Sequence, residues 1–423
     1  MRALRSSFVA VAVAAAAVIG LAPSAGASPQ ALPTSDYIVR LAGSGPVGAA
    51  LDAVLQQAGA GSVVRTYEHA LRGGVVRLPD ALAPVVAALP GVAGIERDGV
   101  VTLDTTQPGA TWGLDRIDQR NRPVDGNYTY TQTGAGVTAY IIDTGVQPTA
   151  AEFGTRVHAG VDTVDPSLSS LEDCNSHGTH VAGTVGSNTY GVAKAVTIVS
   201  VRVFACENST STSAIIAGVD WAAGNHTGTQ AAVANMSVGG SASDALDAAV
   251  RGLINDGVTV AIAAGNDNVN GCSNTSPGRV TEGITVGATD SSDARASFSN
   301  FGTCVDVHAP GVDITSTYPG GGTQVLSGTS MATPHVTGAA ALVLSANPGY
   351  TPAQVQTAIV GNATTGVITG IKTSCSAVDN LLGSCTAGTP NRLLFTGPVT
   401  TPPPPPPPPP ATCSNINRLL GRC

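Results

Sequence analysis

Val137-Thr138-Ala139-Tyr140-Ile141-Ile142 is a nearly continuous apolar run, and it is closed by the carboxylate of Asp143. It is too short for a helix and is apolar at odd and even positions alike. That pattern predicts a strand covered on both faces, as in a parallel sheet flanked by helices. Residues 196–203, 231–236, 258–264 and 284–286 read the same way, and 213–223 and 245–255 between them read as helices. From Trp112 to about Phe395 the chain is therefore expected to form an α/β fold with helices on both faces of a parallel sheet. Ligands of such sheets bind beyond the carboxyl ends of strands, where Asp143 and Asn266 both fall.

The composition suits that fold. The chain has 423 residues, 43% of them hydrophobic, which is enough for a large core with accessory segments around it. Only 11% are charged and 51 are glycine, as expected of tight packing with many turns. The net charge of −8 lies wholly after residue 104, where thirteen basic side chains face twenty-one acidic ones. An acidic surface without a basic run argues against nucleic acid or an anionic membrane as a partner.

The ends carry other signals. Arg2 and Arg5, an apolar stretch over 8–21 and Ala25-Gly26-Ala27 read as an export signal over 1–27, so the protein is expected to be secreted. Residues 36–104 follow the order strand, helix, strand, strand, helix, strand, with Asp80 placed to cap a helix running to Leu89 and a last strand over 92–103. This is a small α+β domain, which taken alone could be an independent binding module. Pro402 to Pro410 form an unbroken proline run, a polyproline II spacer of about 28 Å within a linker over 397–412. Beyond it, residues 413–423 repeat 375–385 with six identities in eleven positions, which suggests two small loops closed by Cys375–Cys385 and Cys413–Cys423. None of the eight cysteines precedes Cys174 and none forms a Cys-x-x-Cys pair, so disulfides are favoured over zinc or redox chemistry.

Three short motifs carry the chemistry, in this order: Ile142-Asp143-Thr144-Gly145, Ser176-His177-Gly178-Thr179-His180, and Ser327-Gly328-Thr329-Ser330-Met331-Ala332-Thr333-Pro334-His335. A serine hydroxyl becomes a useful nucleophile at neutral pH only when an imidazole takes its proton. A carboxylate on the far ring nitrogen then fixes the tautomer and stabilises the imidazolium. Ser330, His177 and Asp143 supply these groups. A metal site built on His177 and His180 lacks a third ligand.

Together the motifs resemble those of the subtilases, over about residues 105–396. The resemblance is greatest to the proteinase K subfamily and its aqualysin-type secreted members, through segments 112–120, 235–237 and 292–300. It implies a secreted, monomeric serine endopeptidase acting on proteins and peptides, with Asp143, His177 and Ser330 as the triad and Asn266 as an oxyanion donor. It also implies that His180 and His335 are structural. Ser237, Val238, Gly239 and Gly240 on one side, and Ala263, Ala264 and Gly265 on the other, resemble the walls of a primary pocket for an apolar or aromatic side chain. The substrate should lie as an extended strand along 207–211, where Asn208, Ser209 and Thr210 stand on the edge. Asn208 and Thr210 replace the glycines usual there, which puts the width of the remote subsites in question.

The resemblance further implies disulfides Cys174–Cys206 and Cys272–Cys304, and a structural calcium ion held by Asp306 with the carbonyls of Thr281 and Gly283. Residues 28–104 become an inhibitor-type propeptide, an intramolecular chaperone removed by cleavage between Asp104 and Thr105. Two rival readings are an inactive binding protein on the same fold and a lipase or esterase. The first usually lacks a triad member. The second wants Gly-x-Ser-x-Gly and the chain order Ser, Asp, His.

Overall fold

The computed structural model describes residues 34–99, 105–372 and 388–397. The chain divides into two compact units, residues 1–101 and 102–423.

The first unit contains β1 (Thr34–Leu41), α1 (Val47–Ala58), β2 (Ser62–Tyr67), β3 (Gly73–Pro79), α2 (Ala83–Ala87) and β4 (Val92–Arg97). Its four strands form an antiparallel sheet in the order β2-β3-β1-β4. Helix α1 turns Val47, Leu51, Val54 and Leu55, spaced along one face, toward Val39, Val76 and Leu78 of the sheet. The element order is the one read from the sequence, but Asp80 does not cap a helix. It opens a 3-10 turn (Asp80–Leu82), and its carboxylate accepts the Tyr37 hydroxyl at 3.1 Å and pairs with Arg97 at 3.5 Å. With that carboxylate engaged by the sheet, α2 is only five residues long.

The second unit opens with β5 (Thr105–Pro108), α3 (Trp112–Ile117), β6 (Asn127–Tyr130), β7 (Thr138–Asp143), α4 (Ala150–Phe153), β8 (Val157–Asp162) and α5 (His177–Gly186). Then come β9 (Thr197–Arg202), α6 (Thr212–Asn225), β10 (Ala232–Met236), β11 (Gly240–Ser241), α7 (Asp244–Asn255), β12 (Thr259–Ala263) and β13 (Thr275–Ser276). The last group is β14 (Ile284–Thr289), β15 (Val307–Pro310), β16 (Ile314–Thr317), β17 (Thr323–Leu326), α8 (Thr329–Ala346), α9 (Pro352–Asn362), β18 (Thr364–Thr365) and β19 (Arg392–Leu393). A nine-stranded sheet runs β18-β19-β15-β14-β12-β10-β7-β9-β8, and only the β18–β19 pairing is antiparallel.

Strand β7 explains why its sequence is so uniformly apolar. Ala139 and Ile141 point into the core shared with Val181 and Val185 of α5 and Val336 and Ala340 of α8. Tyr140 and Ile142 point the other way, into the core shared with Val219 of α6 and Leu253 of α7. Neither face meets water, so the alternation that marks a half-exposed strand is lost. The expected strands and helices of this unit are present, with ends moved by one to three residues. The tail segments 398–423 and the loop 375–385 lie outside the described residues.

Ile141 is fully buried, and truncating it leaves a cavity between sheet and helices. Ile141→Ala is expected to destabilise the protein by about 2–5 kcal/mol in denaturant unfolding of the inhibited enzyme. Val124→Ala, at a side chain 39% exposed, should change stability by less than about 0.5 kcal/mol.

Candidate active site

Strand β7 delivers Asp143 to the carboxyl edge of the sheet with no exposed surface. Its Oδ1 accepts the Thr144 backbone N–H at 2.8 Å and lies 2.7 Å from His177 Nδ1. An ionised carboxylate accepts, so His177 carries its proton on Nδ1 and leaves Nε2 with a free lone pair. His177 is the first residue of α5, with a side chain 27% exposed. Burial alone would lower the pKa of its ring. The Asp143 carboxylate, with Asp173 behind it, outweighs that effect and holds the pKa above the ordinary histidine value.

Asp173 organises the approach to α5. Its carboxylate accepts the backbone N–H groups of Asn175, Ser176 and Thr179 and the hydroxyls of Thr144 and Thr179. It thus satisfies one open N–H group in the first turn of α5, that of Thr179, and two in the loop leading into it. Thr144 Oγ1 in turn accepts Gly178 N–H. Residue 178 must be glycine, because a β-carbon there would lie 2.1 Å from Gly145 O and 3.2 Å from Asp143 Oδ1.

Ser330 stands in the first turn of α8, where backbone N–H groups have no helical acceptor. Its Oγ donates to Ser237 O at 3.2 Å, and among the described residues no hydrogen bond joins it to His177. The carbonyl of Ser330 is held differently. Pro334, four residues on, has no N–H to give it, and Ser237 Oγ donates to it instead at 2.8 Å. Ser237 is itself fixed by Asn235 Nδ2 at 2.9 Å. Asn266 follows β12, and its Oδ1 accepts both the N–H (2.8 Å) and the hydroxyl (2.9 Å) of Thr329. That orients its Nδ2 as a donor with no acceptor among the described residues. A β-carbon built on Gly328 would lie 3.6 Å from both Asn266 Nδ2 and Ser330 N, so the two donors border one small space.

The segments read as pocket walls sit beside this point. Val238, Ala263 and Ala264 are buried, while a β-carbon at Gly240 would meet nothing within 4 Å. Gly265 has φ 100°, and a side chain there would run into Asn300 Nδ2 at 2.4 Å. Asn300 also donates to Ala264 O at 2.9 Å and accepts the N–H groups of Asp267 and Val269. It shapes the wall, a role not assigned to it from the sequence although it closes the shared segment 292–300.

In the irregular segment after β9, where no strand forms over 203–211, Asn208 Oδ1 accepts Asn175 Nδ2 at 2.7 Å and Thr210 Oγ1 donates to Val203 O at 2.6 Å. Both side chains are tied to the scaffold, while Ser209 is exposed. Disulfide Cys174–Cys206 joins this segment to the His177 loop, and Cys272–Cys304 braces the loop after Asn266.

His180 donates through Nε2 to Ile314 O at 2.9 Å, and His335 through Nδ1 to Met331 O at 2.9 Å. Burial pushes each pKa down to about 4, so both stay neutral and structural at neutral pH. Among the described residues no three His, Cys, Asp or Glu side chains gather as a metal site. Asp306 and the carbonyls of Thr281 and Gly283 all border the Gln356 amide, as oxygens of the kind a hard cation takes. The space between the carbonyls is taken, however, by the side-chain amide of Gln356, with Nε2 at 3.1 and 2.9 Å from them. The residues present do not leave room for the ion.

Residues 134–383 match the Subtilase family. The chain is 54% identical over 308 residues to an extracellular serine proteinase of Thermus sp. (strain Rt41A), covering 72% of this chain and 74% of that protein. It is 50% identical over 330 residues to alkaline serine exoprotease A of Vibrio alginolyticus, covering 77% of this chain and only 60% of that longer protein. The crystal structure of a cold-adapted subtilisin-like serine proteinase superposes with a TM-score of 0.62 at 51% identity, over 68% of this chain and 98% of that one. The chain belongs to the subtilase family. It is a serine endopeptidase on the subtilisin-like fold.

The Ser237–Pro334 relation has a measurable consequence. Ser237→Ala leaves the Ser330 carbonyl without its donor and is expected to cost about 1–3 kcal/mol of stability and to lower kcat. In a Pro334→Ala background the restored N–H can serve that carbonyl, so the added cost of Ser237→Ala should shrink by at least half. Equal costs in the two backgrounds would show that the proline does not set this bond.

Proposed function

We propose that Asp143, His177 and Ser330 form the catalytic triad of this endopeptidase, with the N–H of Ser330 and Nδ2 of Asn266 binding the oxyanion. The observation that carries the reading is the 2.7 Å contact between His177 Nδ1 and the buried Asp143 carboxylate. It leaves Nε2 as the acceptor at the edge where Ser330 stands. In the proposed reaction the Ser330 hydroxyl turns from Ser237 O toward His177, gives up its proton to Nε2 and attacks the scissile carbonyl carbon. Negative charge then develops on the carbonyl oxygen, beside two donors already oriented by helix α8 and Thr329. His177 returns the proton to the leaving amine, and water repeats the sequence in reverse on the acyl-enzyme.

Substrate is proposed to lie along residues 207–211 by backbone hydrogen bonds, with an apolar or aromatic side chain between 237–240 and 263–265. The buried, apolar Val238, Ala263 and Ala264 support that preference. Residues 28–104 are proposed to act as propeptide and intramolecular inhibitor, released by a cut between Asp104 and Thr105. The mature peptidase is then 105–396, with 397–412 as linker and 413–423 as a separate terminal element. Export through the signal over 1–27 agrees with the extracellular description of the Thermus relative. No helix among the described residues is long and apolar enough to cross a membrane. No step of this chemistry runs through calcium.

Asn266→Ala is expected to fold and to lose about 10²–10³ in kcat, the cost of removing the corresponding donor in subtilisin. Near wild-type turnover would remove Asn266 from the site. In the wild type, kcat/KM should fall on the acid side with a midpoint above about 6.5, because the carboxylates beside His177 favour its protonated, inactive form. Asp143→Asn should move that midpoint down while lowering kcat by about 10⁴. N-terminal sequencing of the active secreted protein should begin within a few residues of Thr105; a start before residue 90 would contradict the propeptide assignment.

A further inference from the structure

Asp306, Thr281 and Gly283 offer one carboxylate and two carbonyl oxygens bordering the Gln356 amide, oxygens of the kind a calcium ion takes. One Asp306 oxygen accepts the Thr285 N–H at 2.8 Å. Gln356 is the fifth residue of α9, whose first turn is fixed by a capping box between Thr351 and Gln354. That fixed start sets the direction from which the Gln356 side chain leaves the helix. Its amide nitrogen carries two hydrogens, and both carbonyls lie within hydrogen-bond distance of it. Calcium binds oxygens at about 2.3–2.6 Å, so an ion between the two carbonyls would collide with this nitrogen.

We propose that Gln356 stands in for calcium at this place, its amide tying the 281–283 loop to α9 without a metal ion. The inference does not depend on the triad, because it concerns a structural contact remote in sequence from all three residues. It makes the occupancy of the site a property of one side chain on α9. A shorter residue at 356 uncovers these three oxygens, and glutamate there would add a fourth donor.

The test is a count of bound calcium, by equilibrium dialysis and atomic absorption, on full-length-processed enzyme sealed with a serine-directed sulfonyl fluoride. Asp306→Asn should bind the same number of ions as the wild type. Gln356→Ala and Gln356→Glu should each bind one more per chain, and calcium should raise their thermal midpoints further than it raises that of the wild type. If Gln356→Ala does not fold, Gln356→Glu decides the matter. An ion lost from the wild type by Asp306→Asn would overturn the proposal. So would the failure of the folded Gln356 variants to gain one.

Discussion

A carboxylate at the end of a strand that has no solvent on either face is costly unless donors meet it, and the geometry around Asp143 meets that demand at Oδ1, while Oδ2 is buried without a hydrogen-bond partner among the described residues. One of its oxygens receives the Thr144 N–H and faces His177 Nδ1. To bring an imidazole that close, α5 must start directly over the strand end, which excludes any side chain at 178. The incoming loop must also give its own N–H groups an acceptor, and Asp173 supplies it. Cys174, the next residue, carries the constraint on to the segment between β9 and α6 through Cys206. The pair at the centre and the substrate-side edge are therefore positioned by one continuous set of contacts.

The serine is positioned by a helix start. Residues 143, 177, 266 and 330 are far apart in the chain, yet β7 and β12 end at the same edge of the sheet and α5 and α8 begin there. Strand ends bring the carboxylate and the carboxamide, and helix N-termini bring the imidazole and the hydroxyl with open N–H groups beside them. Pro334 lies inside α8 and removes one helical bond. The freed Ser330 carbonyl is taken by Ser237, so a local defect in the helix becomes a tie between α8 and the segment following β10.

Much of this was legible in the residues themselves. Strands buried on both faces leave nearly continuous apolar runs, so β7, β9, β10 and β12 could be placed within a residue or two. The three motifs named the chemistry because each pairs a reactive side chain with the glycines and threonines its geometry needs. What escaped were side chains whose partners lie far off in sequence. Asp173 gives no sign in the sequence of the five donors it gathers. Asp80 looks like a cap until Tyr37 and Arg97 engage it across the sheet. Asn208 and Thr210 look like obstructions on the edge, yet both are bonded back to the scaffold. Gln356 is an ordinary helix residue until α9 is docked against 281–283.

The central claim is that Ser330 is made nucleophilic by a His177 whose far nitrogen is held by Asp143. It is tested most directly by reacting the enzyme with diisopropyl fluorophosphate at a series of pH values and mapping the label by peptide mass spectrometry. The account predicts one phosphoryl group per chain, on Ser330, with a labelling rate that rises with pH through a single titration centred above about 6.5. Label on another residue, or a rate on Ser330 indifferent to the protonation of His177, would contradict it.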